Sequence, residues 1–294
     1  MKKILITGAS GLLGISLVDA LSEEYEVVPT HNREAIHRNS VKMDICDENT
    51  VLRVVDRTHP DAVIHAAAET NVDKCETDKT WAWNVNALGT RNVAEACARV
   101  SAKLIYISTD YVFDGDKGAY SEEDEANPIN HYGMTKLKGE EFVRALHPEF
   151  VIARTSVIYG WHPKKSNFAT WVIDSLANRR RISVVDDQYN SPTLSNDLSE
   201  ILRRMLLQGA RGIYHIVGSD RVSRYDFALK IAEVFGLDGS FVKPAKMTDM
   251  NSWIARRPKD SSLRVDKLQK ELDIQPFSLS ESLKEMSKMR RLTG

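Results

Sequence analysis

An apolar run from Lys3 to Thr7 ends in TGASGLLG, residues Thr7 to Gly14, and the residues beyond it place Leu13, Leu17, Ala20 and Leu21 at helical spacing. Few local patterns restrict a fold as strongly. The glycines Gly8, Gly11 and Gly14 stand in GxxGxxG spacing between a strand and a helix. Gly8 suits a tight turn. Gly11 lets the backbone approach a pyrophosphate, and Gly14 lets the helix pack closely on the strand. The first helical turn, with Leu12 and Leu13, then turns its free N–H groups and the positive end of the helix dipole toward the phosphates. Glycine spacing alone is a weak sign. Its place directly after the first strand of an alternating chain makes it a dinucleotide-binding turn.

The alternation continues. Strand-like segments at 25–29, 61–67, 103–108 and 150–159 are separated by helix-like ones at 49–58, 83–100 and 128–146. Continuous apolar strands between amphipathic helices predict a parallel sheet covered on both faces. Right-handed crossovers then give a doubly wound α/β fold of Rossmann type. Residues 1–160 read as the cofactor-binding domain. Residues 161–294 read as a smaller C-terminal lobe interleaved with it, the stretch at about 181–217 returning to the sheet. Helices are expected near 167–178, 196–207, 223–236 and 280–291, and 240–262 reads as irregular.

Composition narrows the partners. Lys plus Arg total 40 against 41 Asp plus Glu, for a net charge of -1, and no basic stripe suggests nucleic acid. The three cysteines include no CxxC pair, which argues against a disulfide framework and fits a reducing cytoplasm. MKKILITG resembles a signal peptide for only six residues. No stretch approaches the ~20 apolar residues of a membrane span. The eight histidines show no HxxxH spacing, so no metal site is expected. Trp81 and Trp83 suit either inward packing or a homodimer contact.

Cofactor choice is read after the second strand, in Val28-Pro29-Thr30-His31-Asn32-Arg33. The acid that would hold the ribose 2′-OH of NAD is absent. Arg33, beside Asn32, can pair with a 2′-phosphate, which favours NADPH and leaves NADH open. The bland alternative has Arg33 stacking on adenine or facing water. Asp44, before Ile45, can meet the adenine amino group. Ala66, Ala67 and Ala68 leave room for the cofactor, although tight packing would ask for the same residues.

Two further stretches carry chemistry: ISTDYVFDG, Ile107 to Gly115, and YGMTK, Tyr132 to Lys136. Tyr132 and Lys136, four apart, share one face of a helix. There Lys136 can hydrogen-bond the nicotinamide ribose. Its charge, with that of oxidised nicotinamide, would lower the Tyr132 pKa and make the phenol a general acid. Thr109, at the carboxyl end of a strand where open α/β sheets bind ligands, can hold the same carbonyl oxygen.

The glycine turn, HAAAETNVDKCE, STDYVFDG, YGMTKLKGE, DDQYNSPT and RRPKDSSL together resemble the extended short-chain dehydrogenase/reductase family over nearly the whole chain. The resemblance implies hydride transfer from NADPH or NADH to the 4-keto group of a nucleotide sugar, dTDP-4-dehydro-L-rhamnose. By that likeness Thr109, Tyr132 and Lys136 form the catalytic triad. Ala68 and Thr70 line the cofactor, and Asp110 helps hold the sugar. Dehydratases of the family carry an Asp-Glu pair after the threonine, whereas this chain has Asp110-Tyr111. Val157 stands where such reductases often place a tryptophan near the sugar. Arg257 is expected either to face the substrate diphosphate or to form a salt bridge at a helix start. The YVFDG form also occurs in the regulatory β-subunit of methionine adenosyltransferase, so an NADP-binding partner subunit is the competing expectation, with a related epimerase behind it.

Overall fold

A computed structural model describes residues 1–293, with side chains through Met289. The first half runs β1 (Lys3–Thr7), α1 (Leu12–Leu21), β2 (Glu26–His31), β3 (Val41–Lys42), α2 (Glu48–Thr58), β4 (Ala62–His65), α3 (Val72–Thr77), α4 (Lys79–Trp83), a π-helical turn at Asn84–Leu88, α5 (Gly89–Arg99), β5 (Lys103–Thr109), α6 (His131–Leu146), β6 (Phe150–Thr155) and β7 (Ile158–Tyr159). The second half runs α7 (Phe168–Ala177), β8 (Ile182–Val185), β9 (Tyr189–Asn190), β10 (Thr193–Leu194), α8 (Ser195–Gln208), β11 (Gly212–His215), β12 (Val222–Ser223), α9 (Arg224–Phe235), β13 (Val242–Ala245), α10 (Asp266–Leu272) and α11 (Leu279–Thr293).

Seven strands make one parallel sheet in the order β11-β6-β5-β4-β1-β2-β3. Chain progression reverses between β1 and β4, so the crevice at their carboxyl ends is the topological switch point. Helices α1 and α8 cover one face and α2, α5 and α6 the other. This explains why Ile4, Leu5 and Ile6 are all buried: alternate residues enter opposite apolar layers. A third core, built on Tyr159, Phe227 and Leu283, belongs to the C-terminal part.

Several boundaries depart from expectation for local reasons. The helix expected from Pro128 starts at His131, because the Asn130 side chain accepts the Gly133 N–H and caps it there. The single helix expected over 83–100 is α4, a π turn and α5. The strand expected over 150–159 breaks at Ser156-Val157, where Val157 takes φ 43°, a left-handed conformation that costs a β-branched residue energy. Of the stretch at 181–217 expected to rejoin the sheet, only β11 does. Strand β8 instead pairs in parallel with β13, a strand inside the segment expected to be irregular. Among the described residues, no helix is long and apolar enough to cross a membrane.

Candidate active site

A cleft of about 990 Å³ follows the switch point and passes from the glycine turn to the end of β6. At one end Gly8 takes φ 69°, a conformation that favours glycine. A Cβ on Gly14 would lie 2.2 Å from the Gly8 oxygen, and one on Gly8 would lie 2.8 Å from Ala67 Cα. The turn therefore admits only glycine at both places, and it leaves an open cradle beside the first turn of α1. Thr7 Oγ1 accepts the Ala67 N–H at 3.1 Å and contacts His65 Nδ1 at 2.7 Å, which locks the loop after β4 to the glycine turn. Gly11, Leu12 and Leu13 line the cleft here, with Ala66, Ala67, Ala68 and Thr70 opposite. Asn32, Arg33, Asp44 and Ile45 line its adenosine-side wall. These residues fit a dinucleotide: a backbone cradle for the phosphates and small side chains beside it.

At the other end, β5 and β6 finish side by side, with Thr109 in register with Thr155. The Thr109 hydroxyl donates to Asp110 Oδ1 at 3.1 Å and accepts the Tyr111 N–H at 3.2 Å. Tyr132 and Lys136 reach the same place from α6, whose start Asn130 fixes. Burial pushes the Tyr132 phenol well above its ordinary pKa, opposed by its hydrogen bond with Thr109. The Asp110 charge pushes in the same direction as burial. The Lys136 amine is turned to the Ile107 carbonyl at 2.7 Å and lies 4.1 Å from the centroid of the Tyr106 ring. Burial pulls that amine down to about 7, against the pull of Glu140.

Asp110 lines the cleft but is 3% exposed, and Ser156 and Ser261 donate to its Oδ2 at 2.8 and 2.5 Å. Burial raises its pKa, and the three hydroxyls offset part of that rise. Its oxygens act first as an anchor for Thr109 and for the 261 segment. Val157 lines the cleft beside Thr155. Arg257 does not line it. Its guanidinium forms a two-point pair with Asp73 at 2.9 and 2.7 Å and also donates to the Ala255 carbonyl. The salt-bridge alternative is the one observed. The cleft-lining arginine at this end is Arg224, which no motif signalled.

Other contributors were also missed. Thr155 Oγ1 is buried without a protein partner in the cleft wall. A threonine ending the strand next to β5 could have been noticed by the reasoning used for Thr109. Asn86, in the π turn, accepts the Glu69 N–H at 2.9 Å and donates to the Glu69 carbonyl and to Thr135 Oγ1. It ties the loop after β4 to α6, and a polar residue on the buried side of a helix was its available signal. The strap after β7 crosses the glycine turn, with His162 Nε2 3.2 Å from the Ser10 carbonyl and Lys164 paired with Glu34 at 2.8 Å. Among the described residues, no cluster of three metal-ligating side chains occurs.

A parallel doubly wound sheet, a phosphate cradle at its switch point and a Thr-Tyr-Lys group at the far end define an extended short-chain dehydrogenase/reductase. Within that class, the chain belongs to the RmlD substrate binding domain family, whose match spans residues 1–291. It is a family of NAD(P)-dependent nucleotide-sugar reductases. A dTDP-4-dehydrorhamnose reductase from Aggregatibacter actinomycetemcomitans is 35% identical over 297 residues, covering 97% of this chain and 98% of that one. A probable low-salt glycan biosynthesis reductase from Haloferax volcanii is 34% identical over 95% of each chain. The crystal structure of a dTDP-4-dehydrorhamnose reductase from Bacillus anthracis in complex with NADP matches with a TM-score of 0.91 at 36% identity, covering 98% of this chain and all of that one.

Proposed function

We propose that this protein reduces the 4-keto group of dTDP-4-dehydro-L-rhamnose to give dTDP-L-rhamnose, with NADPH as the preferred cofactor. The observation that supports the reading is that Thr109, Tyr132 and Lys136, far apart in sequence, line the same cleft. Bound NADPH supplies the hydride. Tyr132, its pKa raised by burial, keeps its proton at neutral pH and donates it to the carbonyl oxygen of the substrate. Thr109, oriented by Asp110, holds that same oxygen. Lys136, in the same cleft lining, would hold the ribose hydroxyls of the bound cofactor and, when protonated, place positive charge near the phenol. Arg33, with no acid at the end of β2, supports NADPH over NADH.

The residues also speak against the neighbouring chemistries. Ketone reduction needs one proton donor and one oriented oxygen, and both are present. Water elimination would need a second acid-base group beside Thr109. That position is Asp110, which is committed to three hydroxyls, and the next is Tyr111. A purely regulatory role would not require Tyr132, Thr109 and Lys136 to meet at one point. The free thiols of Cys46, Cys75 and Cys97 suit a reducing cytoplasm.

The test is NADPH consumption with substrate made in place from dTDP-glucose by a 4,6-dehydratase and a 3,5-epimerase. Consumption that requires both enzymes is the expected result. Consumption with the dehydratase alone would assign the un-epimerised keto sugar instead. NADPH binding without consumption in either mixture would favour the regulatory subunit.

A further inference from the structure

The site leaves one guanidinium without a matching role. Five cationic side chains line the cleft: Arg33, Lys136, Lys164, Lys165 and Arg224. Lys164 pairs with Glu34, next to Arg33, at the adenosine side. The Lys165 N–H bonds His162, which touches the glycine turn. Lys136 is turned to the Ile107 carbonyl. Only Arg224 stands at the catalytic end without such an assignment.

Its surroundings hold it in place but leave its charge unmatched. The side chain is half-buried and lies 5.0 Å from the centroid of the Phe168 ring. Its backbone N–H is fixed on the Gln188 carbonyl at 3.1 Å. The guanidinium faces the Tyr111 hydroxyl, and no ion pair holds it among the described residues. Asp110, whose charge acts on it, is already engaged by three hydroxyls. Burial and the neighbouring Arg257 both disfavour its protonated form, so an anion arriving here would relieve a standing penalty. Arg224 also opens α9, whose positive dipole end adds to the field. Arg257 cannot play this part while Asp73 and the Ala255 carbonyl hold its donors.

We propose that Arg224 is a specificity-determining residue that binds the diphosphate of the sugar nucleotide. A planar fork of donors on an aromatic support matches two phosphate oxygens. The sugar then lies between this anchor and the Tyr132 hydroxyl, within reach of the unpartnered Thr155 hydroxyl. This inference rests on the nucleotide-sugar reading of the cleft.

The test is calorimetric titration of dTDP into the protein saturated with NADP, for the unaltered chain, Arg224→Gln and Arg224→Lys. A charged hydrogen bond lost from a partly buried site predicts about 10–100-fold weaker dTDP binding in Arg224→Gln. Arg224→Lys should recover part of the loss, and NADP affinity should stay within about twofold, since the cofactor's phosphates lie at the other end. With keto-sugar substrate the loss should appear in KM rather than kcat. Unchanged dTDP affinity in Arg224→Gln would overturn the assignment, as would an equal loss of NADP affinity or failure of the unaltered chain to bind dTDP. The two readings separate cleanly. A chain that binds dTDP through Arg224 yet reduces no 4-keto sugar removes the proposed reaction and keeps this site. Reduction with Arg224→Gln kinetics unchanged does the reverse.

Discussion

Lys136 shows how one residue is tuned before any ligand arrives. Its amine is buried against Tyr106 with a single carbonyl to accept from it, which brings its pKa to about 7. A free lysine ionises near ~10.4, so the folded chain binds the proton less tightly than the unfolded one. Below about 7 both states carry the proton and the burial penalty stands in full. Between about 7 and the free value the unfolded state holds the extra proton, so stability rises with pH through that window. Lys136→Met removes the dependence. In urea melts of the cofactor-free protein, the advantage of Lys136→Met over the unaltered chain should shrink from pH 6 to pH 9 (both chosen to bracket the window of about 7 upward). Parallel curves for the two proteins would contradict the burial argument. The i,i+4 spacing made this Tyr–Lys pair legible in the sequence. The burial that pushes the Tyr132 phenol up was not, because the groups that enclose it come from elements far apart in sequence. Arg224 and Thr155 were missed because their partners lie far away in sequence and no local spacing marks them.

Helix α6 owes its position to more than its cap. Beneath Ser108, Glu140 accepts from Arg154 at 3.0 and 2.8 Å and from the Ser108 hydroxyl at 2.5 Å. Both charged side chains are nearly inaccessible, 2% exposed for Glu140 and 5% for Arg154. The pair fastens α6, which carries Tyr132 and Lys136, to β5 and β6. Removing one partner leaves a buried charge alone, which costs about 3–5 kcal/mol, whereas replacing both with apolar residues is often neutral. Glu140→Leu should therefore lower unfolding free energy by about that amount, and Glu140→Leu with Arg154→Met by much less. A double variant as unstable as the single one would show that packing, not charge, dominates there. At this scale the main strands were readable from their continuous apolar runs. The π turn at Asn84–Leu88 was not, because its cause is Asn86 reaching the Glu69 backbone and Thr135, contacts from other elements. Strand β13 was hidden by Pro244 and the exposed Lys243 in an edge pairing with β8.

Across the molecule, the reading from sequence succeeded where the chain alternates and loosened where its second half weaves back. Only β11 rejoins the main sheet, while α3 and the 254–257 segment are held together by Asp73, which accepts from the Ile254 and Ala255 N–H groups and from Arg257. The motif around Arg257 leaves a substrate contact and a salt bridge equally open, and the whole-chain arrangement gives the side chain to Asp73. The same arrangement brings the ends of β5 and β6, the face of α6 and the start of α9 to one end of the cleft. In the proposed reduction Tyr132 supplies the proton there. That role is tested most directly by comparing NADPH consumption by the unaltered chain and Tyr132→Phe on epimerised keto sugar, with NADP affinity measured alongside. Tyr132→Phe should lower kcat about 10²–10⁴-fold with the cofactor still bound. Near-normal turnover by Tyr132→Phe would contradict it.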